Sequence, residues 1–179
     1  KNKYYLMNFK KFFYKKVNST NDLGIKKIKT GFIKGIIIAD LQKKGRGQYG
    51  KKWLSHKGNL FMTIFFEIKK NIELKKITTL NCKIIKNTLI QYFKKNITIK
   101  YPNDLLVNKK KICGILQETT FNKKVKFIVI GIGINLIKNP KIKNYPTTNI
   151  LKETGIKVKK MNLIKNIEKN YIKNLKLFA

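Results

Sequence analysis

The segment Gly45-Arg46-Gly47-Gln48-Tyr49-Gly50-Lys51-Lys52-Trp53 is the most chemically distinctive stretch of this chain. Its three glycines let backbone amides turn toward an anion, and Arg46, Lys51 and Lys52 add positive charge. It also contains the only arginine and the only tryptophan of the 179 residues. All but one of the 42 basic residues are lysine, so a retained arginine marks a place where the planar guanidinium fork matters. The string lacks the Gly-Lys-Ser/Thr ending of a Walker A loop.

Other uncommon strings surround it. Lys100-Tyr101-Pro102-Asn103-Asp104 sets a carboxylate and an amide just after a predicted strand. Lys111-Ile112-Cys113-Gly114-Ile115-Leu116-Gln117-Glu118 opens a strand with a lysine, and Gly131-Ile132-Gly133-Ile134-Asn135 lets a ligand approach the backbone and ends in an amide. Each has an ordinary structural reading when taken alone. Asn-Asp after Pro is a turn, Lys111 is one lysine among many, and Gly-Ile-Gly is a tightly packed strand.

The elements that must position these residues follow from periodicity. Ser19-Thr20-Asn21-Asp22 caps a helix predicted to run to about Lys29. Gly35 to Asp40 reads as a buried strand, Gln42 to Gly50 as a loop, and Asn59 to Ile68 as a β-branched and aromatic strand. Apolar residues three and four apart from Leu74 to Lys94 predict an amphipathic helix. Short strands are expected at Thr98–Tyr101, Leu105–Val107, Lys111–Thr120 and Lys126–Leu136, with a hairpin turn at Phe121-Asn122-Lys123-Lys124. A short helix at Ile150–Glu153 ends at Gly155, and a terminal helix spans about Asn162 to Phe178. Lys1 to Lys16 reads as a basic, aromatic lead-in. Interspersed strands and helices make this an α+β domain, and the length suits one domain over 1–179.

Composition narrows the function. A 42% hydrophobic content supports a packed core. The net charge of +34 accompanies abundant Ile and Asn, residues which share AT-rich codons with Lys, so compositional drift accounts for much of it. Nonspecific attraction to polyanions is expected, without specific DNA binding. Two cysteines and one histidine are too few for a disulfide framework or a zinc site. No apolar run reaches the ~20 residues of a membrane span, and no signal peptide is recognisable, so a cytoplasmic protein is expected.

Read in order, the strings resemble biotin protein ligase. The resemblance runs from about Asn18 to Thr154: Ser19-Thr20-Asn21, Gln42 with the glycine loop, Gly58-Asn59-Leu60, and the three strings above. It implies a class II synthetase-like catalytic domain, a mixed and largely antiparallel sheet flanked by helices. It also implies an acid–amide bond-forming ligase. Biotin and ATP give biotinyl-5′-AMP and pyrophosphate, and a lysine of a biotin carboxyl carrier protein domain takes the biotinyl group.

By the same resemblance, Ser19, Thr20, Gln42, Gly45, Arg46, Lys111 and Gly114 are biotin contacts, with Gly45 and Arg46 acting through their backbone. Gly47, Gln48, Lys51, Trp53, Asn103 and Asn135 contact ATP or the adenylate, and Arg46 to Lys51 closes over the intermediate. Lys111, Arg46 and Asp104 are the expected catalytic residues, and Asp104, with Asn103, helps hold Mg²⁺. A fixed cation at Lys111 suits the attack of one anion on another, and no covalent enzyme intermediate is needed.

The chain departs from the family pattern at Tyr101, where Trp is usual, and at Gln48 and Lys51, where Arg is usual. An N-terminal winged helix and a C-terminal SH3-like barrel, common in the family, are not expected within these residues. Two rival readings remain. One is a lipoate ligase or octanoyl transferase of the same fold. The other is a non-catalytic basic nucleic-acid-binding module.

Overall fold

A computed structural model describes residues 8–94 and 96–178. Within them seven strands form one sheet: β1 (Lys11–Tyr14), β2 (Lys34–Ala39), β3 (Leu60–Ile68), β4 (Thr98–Lys100), β5 (Asp104–Val107), β6 (Lys110–Asn122) and β7 (Val125–Ile134). Their spatial order is β1-β2-β3-β7-β6-β5-β4; β1 runs parallel to β2, and every other neighbouring pair is antiparallel. Among the described residues four α-helices flank the sheet: α1 (Thr20–Lys29), α2 (Leu74–Leu89), α3 (Ile150–Thr154) and α4 (Lys160–Asn174). This is the mixed, largely antiparallel α+β architecture that the motifs imply.

The two-residue period of the strands divides the core. Ile36 and Ile38 of β2 join Leu60, Met62 and Ile64 of β3 in the larger cluster, beneath α2 and α4. Ile37, Phe65 and Val129 face the other way, against Ile28 of α1. On that second face β6 and β7 carry glycine: Gly114 is paired with Gly133, and Leu116 with Gly131. The helix α1 packs mainly on β2, β3 and the adjoining part of β7 and touches β6 only at its margin, so Gly114, Gly131 and Gly133 border an open floor.

Three expectations change. The lead-in contains β1, whose Phe12 and Phe13 pair with Ile37 and Ile38. It is a short edge strand among lysines, so its alternation is too brief to stand out. The helix predicted from Leu74 ends as an α-helix at Leu89 and continues as a 3-10 turn over Ile90–Tyr92. The terminal helix starts earlier, at Lys160, and gives way to a 3-10 turn at Leu175–Leu177. The hairpin closes through Lys123-Lys124, with Lys123 at φ 52. No helix among the described residues is long and apolar enough to cross a membrane.

Candidate active site

A cavity of about 690 Å³ opens over the glycine floor, walled by the start of α1, the 46–54 loop, residues 100–104 and residues 140–147. That volume falls in the range of small-molecule sites, about 300–1,000 Å³. One wall comes from the α1 N-terminus. Ser19 caps the helix by accepting a hydrogen bond from the Asp22 amide, and the Thr20 amide and hydroxyl both donate to Gln42 Oε1, at 2.8 and 3.0 Å. Thr20 and Gln42 therefore hold each other in place.

The glycine loop folds back on itself. Trp53 N donates to Gly45 O at 2.9 Å and Gly47 N to Lys51 O at 2.7 Å, leaving Tyr49 at the tip with φ 55 and 90% exposed. A Cβ on Gly45 would lie 2.6 Å from Trp53 O, so this return requires glycine. The loop lays the Trp53 indole on the floor, where Cβ atoms on Gly114 and Gly133 would sit within 2.5 Å and 2.4 Å of its ring. The indole Nε1 is buried without a hydrogen-bond partner among the described residues.

Arg46 does not point into the cavity as a free cation. Its guanidinium donates to both Glu118 oxygens at 2.8 Å and to Asp22 Oδ1 at 2.8 Å. The Glu118 hydrogen bond leads in holding Arg46 above its usual range, against the pull of desolvation. Asn21 braces this junction, donating to Glu118 Oε2 at 2.7 Å and accepting from Thr63 Oγ1 at 2.6 Å. Three of the chain's eight acids, Asp22, Asp104 and Glu118, thus pair with Arg46 and Lys111.

At the far end Lys111 Nζ lies 2.7 Å from Asp104 Oδ1, as a charge contact without an aligned hydrogen bond. Asp104 Oδ2 accepts from the Tyr145 hydroxyl at 2.5 Å. Burial, then that hydrogen bond, pushes the Tyr145 phenol well above its ordinary range, so it stays a donor. The Lys111 ammonium also lies 5.2 Å from the Trp53 ring centroid. Backbone bonds from Lys111 N to Pro146 O and from Thr148 N to Lys111 O, each 2.9 Å, fasten the 140–147 strap beside it.

A sequence profile of the Biotin/lipoate A/B protein ligase family matches residues 13–135, the span that contains the glycine loop, Asp104, Lys111 and Asn135. The chain belongs to that family. The bifunctional ligase/repressor BirA of Bacillus subtilis is 30% identical over an alignment of 151 residues that covers 76% of this chain and 45% of that protein. The chain therefore spans about half the length of this relative. Among solved structures, the biotin protein ligase of Aquifex aeolicus in complex with biotin and ATP superposes with a TM-score of 0.78 at 26% identity, covering 94% of this chain and 71% of that one. The Leishmania major biotin protein ligase in complex with biotinyl-5-AMP gives 0.80 at 25% identity, covering 95% and 76%.

For this ligase-family chain, Ser19, Thr20, Gln42, Arg46, Gly47, Gln48, Lys51, Trp53, Asn103, Asp104, Lys111, Gly114 and Asn135 all line the one cavity. Gly45 sits behind it, under the loop's return. Two of the amides are bound to backbone. Asn103 Nδ2 donates to Ile115 O at 2.9 Å and Asn135 Nδ2 to Thr148 O at 3.0 Å, so both also shape the walls. Sequence reasoning gave no site role to Asp22, Glu118 or Tyr145, although Glu118 closes the string that Lys111 opens. The scarcity of acids was the available signal for the first two. Tyr145 carried none, because it lies beyond the recognisable strings.

Proposed function

We propose that this chain activates biotin with ATP to biotinyl-5′-AMP and transfers the biotinyl group to a lysine of a biotin carboxyl carrier protein domain. The observation that carries this reading is the placement of Lys111. Its ammonium stands at the edge of the Gly114–Gly133 floor, held by Asp104, in a cavity walled at the other end by Thr20 and Gln42. In the first step a biotin carboxylate oxygen attacks the α-phosphorus, the bond to pyrophosphate breaks, and Lys111 offsets the charge of the meeting anions. In the second, a neutral lysine amine of the carrier attacks the acyl carbon and AMP leaves.

Ser19, Thr20, Gln42, Gly114 and the backbone of Gly45 and Arg46 would hold biotin; Gly47, Gln48, Lys51, Trp53 and Asn135 would border the adenylate. Among the described residues no three His, Cys, Asp or Glu side chains cluster as a metal cage. The donors present near the proposed phosphate end, the Asp104 carboxylate, whose Oδ1 accepts no hydrogen bond, and the Asn103 amide, fit a Mg²⁺ that arrives with the nucleotide and takes most of its ligands from phosphate and water. Asp104 and Asn103 would hold it there, where the ion would neutralise the pyrophosphate leaving group.

The relatives' names favour biotin over the lipoate or octanoyl reading. A non-catalytic basic module leaves the ordered cavity residues without a purpose. The test is incubation with ATP, Mg²⁺ and labelled biotin, with labelled lipoate in parallel. Biotinyl-AMP should accumulate and lipoyl-AMP should not; the absence of biotinyl-AMP would refute the reading.

A further inference from the structure

Tyr145 lies beyond residue 135, where the family match ends, on the strap between β7 and α3. Its position is nonetheless closely determined. The strap is fastened to the backbone of Lys111 on both sides of that residue, and Asn139 Nδ2 bonds Thr147 O at 3.2 Å and Thr147 Oγ1 at 2.9 Å. Asn135 and Asn149 tie the same strap to its base, Asn135 through Thr148 O and Asn149 through Asn139 Oδ1. The outcome is a phenol hydroxyl 2.5 Å from Asp104 Oδ2, while the other oxygen of that carboxylate contacts Lys111. The ring does further work: Lys100 Nζ lies 4.2 Å from its centroid and Lys111 Nζ 5.5 Å.

We propose that Tyr145 is a positioning residue for the adenylation step. Its hydroxyl fixes the Asp104 carboxylate, which orients the Lys111 ammonium, and its ring seats Lys100 beside them. An Asp104 carboxylate held only by Lys111 could rotate and carry the ammonium with it. Held at both oxygens, it presents the ammonium in one place, and electrostatic stabilisation requires that preorganisation. The two lysines against one ring gather positive charge where the phosphate end of a nucleotide would lie.

This inference rests on the proposed biotin-activating function, so the parental chain is assayed first for biotinyl-AMP. If it makes none, the functional reading fails and the inference falls with it. If it does, Tyr145→Phe should lower kcat about tenfold or more, as loss of a hydrogen bond to a charged group does. The KM for biotin should change less than about twofold, since Thr20 and Gln42 are untouched. Tyr145→Ala, which also removes the ring, should raise the KM for ATP as well. A double-mutant cycle with Asp104→Ala separates action through Asp104 from independent action: in that background Tyr145→Phe should cost less than about twofold. The same cycle on denaturant midpoints gives a readout that needs no turnover, and the two substitutions should again be non-additive. The inference is overturned if Tyr145→Phe keeps parental kcat, if kcat and the biotin KM deteriorate together, or if the two losses multiply.

Discussion

Arg46 reaches 72 residues along the chain to Glu118 and meets both of its carboxylate oxygens at 2.8 Å. That pairing ties the glycine loop to β6 and α1 and commits its one arginine to protein carboxylates, the arrangement expected of a latch if the loop closes over the adenylate. Its side chain is 40% exposed and the Asp22 partner 54%, so the outer arm of the latch is worth about 1 kcal/mol or less. An outer arm that weak can be displaced by a ligand, whereas the bidentate Glu118 arm is the stronger hold.

Replacing either end of the latch should therefore give the same phenotype. Arg46→Ala and Glu118→Gln should speed release of biotinyl-AMP while changing initial biotin affinity much less. Leakage is measured as labelling of lysines on an unrelated protein. Release at the parental rate in both variants would remove the lid role.

Lys111→Ala should keep the fold, because the strap is held by the Lys111 backbone amide and carbonyl, which alanine retains. Single-turnover formation of biotinyl-AMP should drop by ~10²-fold or more, the scale of losing a principal electrostatic stabiliser. A loss of less than about threefold in a protein with parental circular dichroism would contradict the role assigned here.

Trp53 is the only tryptophan, so its emission reports directly on the floor of the cavity. A ligand seated on Gly114 and Gly133 has to move the indole, and biotin or biotin plus ATP should shift its emission. Gly114→Ala places a methyl group 2.5 Å from the ring, which should displace the indole and weaken biotin affinity. The loss is expected to be about tenfold or more, the cost of an overpacked site. Unchanged emission on saturation with both ligands would place them elsewhere.

The two thiols should be inert in the folded protein. Burial, and then the Asp104 charge, pushes the Cys82 thiol up to about 11, and burial first of all raises Cys113 well above its ordinary range. At pH 8 neither should react with iodoacetamide until the chain unfolds. The linkage has a definite sign. Between 9.0 and about 11 the unfolded chain releases a Cys82 proton that the folded chain keeps, so stability should fall as pH rises through that window. Rapid labelling of the native protein, or a denaturation midpoint that rises over that window, would contradict it.

The family motifs, the buried strands β2, β3 and β7, and the capped start of α1 were all legible in the sequence, because each is written in a short window. Periodicity marks a strand, and Ser19 marks a cap, without reference to anything far away. Thirteen of the fourteen expected site residues accordingly line one cavity, with only Gly45 behind it. The strand β1 was not legible, since four residues of an edge strand acquire their identity only by pairing with β2. The choice of partners was also beyond the sequence. Nothing local says that Arg46 will find Glu118 rather than solvent, that Trp53 will lie on two glycines from neighbouring strands, or that Tyr145 will reach Asp104. Those contacts exist because α1, the loop, β5, β6 and the strap converge on one face of the sheet. Such convergence depends on how the strands are ordered in space, and only tertiary packing decides that order.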